Sequence, residues 1–253
     1  MQITFLGTGT SQGVPLIACD CEVCQSQDPR DKRLRSSVLI ESEGVQFVID
    51  SGPDFRYQML RQKVKHLDAV VFTHGHKDHI AGLDDIRAFN YFQNKAMDIY
   101  ADEATQTALK REFHYIFENA DYPGVPKINL HHLKNECFSI GHLKIEPILV
   151  KHYYLPVFGF RIGDFTYITD ANYIAEEEKE KIKGSKYLVL NALRHEKHIS
   201  HFTLSEALQL AATLDCEHTY FTHISHQLGL HQAVEAMLPT NVSLAYDGLR
   251  LQL

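Results

Sequence analysis

The chain has 253 residues, a formal net charge of −7, 44% hydrophobic and 23% charged residues, the balance of an ordinary globular protein with room for a substantial core in one domain over 1–253. The negative balance argues against a broad nucleic-acid-binding face, and no apolar run approaches the roughly 20 residues that cross a bilayer. No basic segment leads into a hydrophobic one at the N-terminus, so a cytoplasmic protein without a signal peptide is expected. Residues 3–6, 37–41 and 46–50 read as strands, the last two joined through Ser42-Glu43-Gly44, a good hairpin turn. A short helix over 55–64 precedes a β-branched strand over 69–73, and apolar residues at helical spacing (Ile80, Leu83, Ile86, Phe89) predict a helix over 80–92. A helix of mixed face is expected over 103–118, and a solvated one, acidic then basic, over 175–183. Thr203-Leu204-Ser205-Glu206 is a capping box opening a helix with Leu204, Ala207, Leu208, Ala211 and Leu214 on its apolar face. Two short strands, 242–246 and 249–253, close the chain about Asp247-Gly248. By itself this pattern supports an α/β or an α+β fold.

The run Thr73-His74-Gly75-His76-Lys77-Asp78-His79 puts three imidazoles and a carboxylate within six positions, a donor set for zinc, iron or manganese. His74 and His76 are two apart and share a side in extended backbone. Asp78 and His79 follow at a turn and can face a second ion. Further donors stand just past apolar strand-like runs: His152 after 145–150, Asp170 after 165–169 and His223 after 219–222. Strand ends are where sheets present functional groups. Taken singly, each of these is ordinarily a surface histidine or a turn aspartate; the combination carries the argument. Cys19, Cys21 and Cys24 form a second cluster, and clustered thiols in a reducing compartment point to zinc, which wants a fourth ligand. The isolated Cys137 and Cys216 read as small buried hydrophobes.

With these residues in place, the chain resembles the metallo-β-lactamase-fold hydrolases: His-x-His-x-Asp-His, then a single His, an Asp and a final His. Within that family it is most similar to the branch containing phosphoribosyl 1,2-cyclic phosphate phosphodiesterase, through Thr4-Phe5-Leu6-Gly7-Thr8-Gly9-Thr10-Ser11-Gln12-Gly13-Val14-Pro15, Ile49-Asp50-Ser51-Gly52-Pro53-Asp54-Phe55-Arg56, Gly82-Leu83-Asp84-Asp85-Ile86-Arg87 and Thr222-His223-Ile224-Ser225-His226-Gln227. The resemblance implies an α+β fold, a four-layer αββα sandwich. It implies that His74, His76 and His152 hold one divalent ion, that Asp78, His79 and His223 hold another (zinc or manganese), and that Asp170 bridges them. It implies His226 as the fourth ligand of a structural zinc with Cys19, Cys21 and Cys24.

The resemblance implies hydrolysis of a small, cyclic phosphodiester; with no nucleophile elbow and no Walker-type loop in the chain, a metal-bridging hydroxide is the expected nucleophile. His201, two residues before the cap Thr203, is the candidate general acid, with His198 as the other candidate; if the stretch is helical, His195, His198 and His201 share one face. Arg56, Arg87 and Lys151 are weaker candidates for contacts to a second substrate phosphate, and Arg87 could instead pair with Asp84 or Asp85. His66, His114, His131, His132, His142, His218 and His231 carry no argued role and read mostly as surface residues. A homodimer is compatible with the resemblance. Three rival readings stay open: a tRNA 3′-processing endonuclease of the RNase Z type, a thioester or lactam hydrolase of the same fold, and a non-hydrolytic cofactor-assembly protein. The endonucleases usually carry a long arm between the third metal histidine and the bridging aspartate, whereas only 18 positions separate His152 from Asp170 here.

Overall fold

The computed structural model describes residues 1–118 and 124–253. In chain order the N-terminal half gives β1 (Gln2–Gly7), β2 (Ser37–Ser42), β3 (Val45–Ile49), β4 (Ala69–Val71), β5 (Met97–Ala101) and β6 (Ile128–His132). The second half gives β7 (Phe138–Ile140), β8 (Leu143–His152), β9 (Leu155–Ile162), β10 (Phe165–Tyr167), β11 (Tyr173–Ile174), β12 (Tyr187–Asn191), β13 (His218–Thr222), β14 (Val242–Leu244) and β15 (Arg250–Gln252). Among the described residues one sheet runs β15-β1-β2-β3-β4-β5-β6 and the other β11-β8-β9-β10-β12-β13-β14, with β7 paired to β8. The β2–β3 hairpin turns through Glu43 (φ 45°) and Gly44 (φ 86°). Two successive positive φ values match the right-handed twist of the strands. Strands β3 to β6 run parallel in the first sheet, as do β10, β12, β13 and β14 in the second, while β8 and β9 form an antiparallel pair.

Strand periodicity builds the layers. Successive residues face opposite sides of a sheet. In β2, Val38 and Ile40 enter the core between the sheets while Leu39 packs outward; in β3, Phe47 and Ile49 face in and Val48 faces out. Likewise Val189 of β12 faces in, and Leu188 and Leu190 face out. The outer face of the first sheet is covered by the helices Phe55–Gln62, Arg87–Gln93 and Glu103–Glu112, that of the second by Leu204–Ala211 and His231–Glu235. Three apolar layers between four layers of secondary structure give the αββα sandwich.

Several elements differ from the sequence expectation. The helix expected over 80–92 is broken into one turn at Lys77–Ile80, a 3-10 turn at Leu83–Ile86 and the helix Arg87–Gln93. Gly82 sits at the break because the Ser51-Gly52 backbone presses against it: its N–H donates to Ser51 O at 2.8 Å, and a Cβ there would lie 2.2 Å from Gly52 O. The helix expected over 103–118 stops at Glu112, where Phe113 turns into the core, and resumes as His114–Glu118. The last two strands belong to different sheets: β14 lies parallel to β13, whereas β15 lies antiparallel to β1. The Tyr246–Leu249 turn carries the chain between the sheets and is held by Gly248 N–H on Phe5 O and Phe5 N–H on Leu249 O. The segment holding His195, His198 and His201 is not helical, so the three do not share a face. Cys137 is exposed in the turn before β7, and Cys216 is only half-buried.

Candidate metal centre

The candidate ligands gather at one rim, where both sheets end. His74 follows β4, His152 closes β8, Asp170 follows β10 and His223 follows β13. The sheets are joined at this rim by Phe158 N–H of β9 on Thr73 O at 3.0 Å. His223 has φ 56°, a left-handed conformation that turns the chain off β13.

Two groups form. In the first, the His74–His76, His76–His152 and His74–His152 ring centroids lie 4.5, 5.2 and 5.7 Å apart. In the second, His79 Nε2 lies 3.1 Å from Asp78 Oδ2 and 3.5 Å from Asp170 Oδ1, and His223 Nδ1 lies 3.1 Å from the same Asp170 oxygen. The other oxygen of Asp170, Oδ2, faces the first group, 3.9 Å from His74 Nε2. One carboxylate therefore turns one oxygen to each group.

The donor set fits divalent cations. Burial holds the pKa of His74 well below the ordinary imidazole value, which keeps it neutral, as a ligand must be. Burial opposes ionisation of Asp170, but His223 and His79 outweigh it and hold the carboxyl well below the usual range. Asp78 behaves in the same way: burial opposes its charge, and His79 prevails. Burial likewise opposes a charge on His79, yet Asp78, Asp50 and Asp170 together raise its pKa well above normal. Three carboxylates around one ring make this a place that favours positive charge, which a divalent ion beside a neutral His79 would supply. The ring's Nε2 is buried and makes no hydrogen bond, the pattern of a ring aimed at a positive ion.

The rings are oriented from behind. His79 Nδ1–H donates to Asp50 Oδ2 at 2.7 Å, and His152 Nδ1–H donates to Ser200 O at 2.9 Å. Asp50 also accepts from Thr73 N–H at 2.9 Å and from the Thr73 hydroxyl at 2.8 Å. These bonds fix Nδ1 as the donor of each ring and leave Nε2 for the centre. The role of Asp50 escaped the sequence reading, although it ends a strand in the same apolar-then-polar manner as Asp170. Its φ of 65°, sparsely populated by residues other than glycine, marks its special position only in three dimensions.

His201 is buried beside both groups. Its Nε2 lies 4.0 Å from Asp170 Oδ2, and its ring centroid lies 4.5 Å from His152 and 4.8 Å from His223. Burial pushes its pKa down to about 2. His198 stands farther out, with Nδ1 3.3 Å from the Ser200 hydroxyl. His195 turns away, with Nε2–H donating to Leu228 O at 2.9 Å.

A third group lies one loop away. Cys19, Cys21, Cys24 and His226 bring their ligand atoms within 4.8 Å of one another. His226 Nδ1 is 3.4 Å from Cys19 Sγ and 3.3 Å from Cys21 Sγ, close to the roughly 3.6 Å edge of a tetrahedron with zinc-like bond lengths. The His226 ring is the strongest influence lowering the Cys21 thiol to about 6, which favours thiolate.

The three cationic candidates part company. Lys151 adjoins His152, its ammonium 5.5 Å from the Tyr173 ring centre. Arg87 is drawn into an ion pair with Asp84, three residues away, and lies 3.4 Å from Gly124 O. Arg56 lines a groove of about 540 Å³ with Met59, Phe89 and Phe92, a lining that includes none of the clustered ligands. Arg56 and Arg87 both stand on the helical layer outside the first sheet, on the helices Phe55–Gln62 and Arg87–Gln93.

A family profile described as a beta-lactamase superfamily domain matches residues 46–224. The chain belongs to this family. A crystal structure described as a new diphosphatase from the PhnP family is 42% identical, superposes with a TM-score of 0.93, and is matched over 99% of this chain and 96% of that one. The metallo-β-lactamase fold and a metal-dependent hydrolase follow from these two likenesses, and divalent ions belong to that fold. The zinc-bound PqqB of Methylobacterium extorquens, 20% identical with a TM-score of 0.80 over the whole of both chains, shares the fold. An octanoyltransferase of Porphyromonas gingivalis is 38% identical over 252 residues, 98% of this chain and 51% of that protein. The chain spans about half the length of this curated relative.

Proposed function

We propose that this metallo-β-lactamase-fold protein hydrolyses a small phosphodiester, in the class of phosphoribosyl 1,2-cyclic phosphate and cyclic nucleotides, at a dinuclear centre. The observation that carries the reading is Asp170, whose two oxygens face two separate ligand groups. A bridging carboxylate offsets the repulsion of two cations held side by side. His74, His76 and His152 hold one ion, Asp78, His79 and His223 the other. Such a pair, zinc or manganese, supplies a water of lowered pKa and charge against the phosphoryl oxygens. A structural zinc sits at Cys19, Cys21, Cys24 and His226.

The chain's own part is orientation and proton delivery. Asp50 and Ser200 fix His79 and His152 from behind. Hydrolysis forms one P–O bond from water and breaks another, and the departing oxygen needs a proton. His201 supplies it. Burial holds this ring neutral, and the negative charge of a bound phosphoryl group raises its pKa toward the working range. Its buried place beside Asp170 favours it over His198. Lys151, adjoining His152, is the candidate for a second phosphate contact that lies next to a ligand in the chain.

The diphosphatase relative supports attack at phosphorus. The octanoyltransferase name belongs to a protein twice as long, whose unmatched half is free to carry that activity. An RNase Z-type reading finds no support in the interval between His152 and Asp170, which β9 and β10 fill with short turns. The test is metal-reconstituted turnover of bis(p-nitrophenyl) phosphate with ions counted in the same samples. About three ions per chain are expected, with His201→Ala slowing kcat by about 100-fold or more at unchanged metal content. Asp170→Ala loses turnover together with catalytic metal. A fully loaded wild type inert toward every phosphodiester offered sinks the proposal.

A further inference from the structure

The turn between β8 and β9 has the wrong residues for a turn. Register pairs His152 with Leu155, so Tyr153 and Tyr154 alone make the connection. Two-residue hairpins favour Asn-Gly or Gly at these places because φ turns positive there. Tyr153 has φ 59° nonetheless, a conformation that costs an L-residue with a bulky side chain about 1 kcal/mol or more. The two rings touch each other and are 44% and 80% exposed. Tyr173 and Ile199, 52% and 63% exposed, are the next large apolar side chains at this rim.

The group is braced. Asn172 accepts from Tyr153 N–H at 2.7 Å and donates from Nδ2 to Ile199 O at 3.1 Å, tying the tyrosine turn to the segment that leads into His201. Each of the four residues lies within three positions of His152, Asp170 or His201. The rings are thus carried by the same strand ends and loop that carry His152, Asp170 and His201. Lys151 adds a positive charge beside Tyr173. Exposed aromatic rings held in a strained turn, next to a cation and a phosphoryl-binding centre, suit a planar ring joined to a phosphate.

We propose that Tyr153 and Tyr154 form a stacking platform for a heteroaromatic base, so that the diester hydrolysed here is of the nucleotide class rather than a bare sugar phosphate. The proposal rests on the phosphodiesterase reading for its chemistry, but not for its binding. A single small ligand is favoured over a second copy of the chain because the braced patch is only four side chains wide and is tied through Asn172 to the segment leading into His201.

The experiment is calorimetric titration of the metal-loaded protein with AMP and with ribose 5-phosphate, in wild type, Tyr154→Ala and Tyr153→Gly. In parallel, kcat/KM is measured for 2′,3′-cyclic AMP and for ribose 1,2-cyclic phosphate. Wild type should bind AMP about tenfold tighter than ribose 5-phosphate, a gap typical of base stacking on an aromatic ring. Tyr154→Ala should close that gap and lower the cyclic AMP to ribose cyclic phosphate ratio of kcat/KM by a similar factor. Tyr153→Gly should do the same while raising Tm, because it relieves the positive φ; that rise separates loss of stacking from loss of fold. Equal affinities in wild type, or a gap that survives in both variants, overturn the platform. So does a wild-type dimer that becomes monomeric in Tyr154→Ala with no change in ligand discrimination. If AMP discrimination behaves as stated while neither cyclic diester is turned over, the platform stands and the phosphodiesterase reading falls.

Discussion

Asp50 shows how much a single side chain behind a ligand controls. It is fully buried, and burial raises its pKa, while His79 and Thr73 act in the opposite direction. Its carboxylate both orients His79 and makes that ring more basic, and hence a better donor to a cation. Asp50→Asn keeps the shape but offers an amide of mixed polarity to His79 Nδ1–H. Affinity for the ion held with Asp78 and His223 is expected to fall about 10- to 100-fold. Competition with a chelator of known affinity measures this, and an unchanged affinity would exclude the orienting role.

At the scale of elements, the end of β13 serves two groups of ligands at once. His223 turns off the strand in left-handed conformation, Ile224 pairs with Gly9 beyond β1, and the Ser225-capped turn His226–Leu228 presents His226 to the cysteines. The loop bearing Cys19, Cys21 and Cys24 contains only the short helix Glu22–Gln25, in which Val23 and Cys24 are the buried residues. So little apolar contact leaves the loop dependent on its thiols. Cys24→Ser is expected to remove about one ion per chain and to open the loop to protease. Elemental analysis beside limited proteolysis reads both, and a full metal complement in the variant would mean that the thiols hold no ion.

At the scale of the molecule, the loop after β1 is locked to the chain's last turns by a buried polar network. Arg33 donates to the Thr8 hydroxyl at 2.9 Å, to Ala245 O at 2.6 Å and to His231 Nδ1 at 3.1 Å. His231 therefore has to be neutral to accept. Burial, and then the Arg33 charge, lowers its pKa to about 4, against about 6.5 in the unfolded chain. Between those values the unfolded state binds a proton that the folded state refuses. Stability is therefore full above about pH 6.5 and declines as the pH falls toward 4. Denaturation midpoints across this window should show the slope, and an NMR titration of His231 with a midpoint near 6.5 would remove its cause. Among the histidines without an argued role, His231 is buried, whereas His66, His114, His132 and His142 are exposed.

The chain by itself determined its alternating apolar strands, the Thr203 capping box (formed with Glu206 as written) and the residue types able to hold ions. These depend on local spacing: period two in a strand, a hydroxyl three residues before a glutamate, imidazoles two apart. Helix continuity at Gly82 and at Phe113 was not legible, since both breaks are made by packing against distant backbone and core. The separation of β14 from β15 was not legible either, because local turn chemistry does not say which sheet a strand joins. Only the tertiary structure decided that Asp170 divides its oxygens between two groups, that Asp50 stands behind His79, and that Arg87 pairs with Asp84. The physical reason is common to all of these. The centre is assembled from the ends of strands far apart in sequence, and the side on which each end emerges is fixed by pairing and core packing across two sheets rather than by neighbours along the chain.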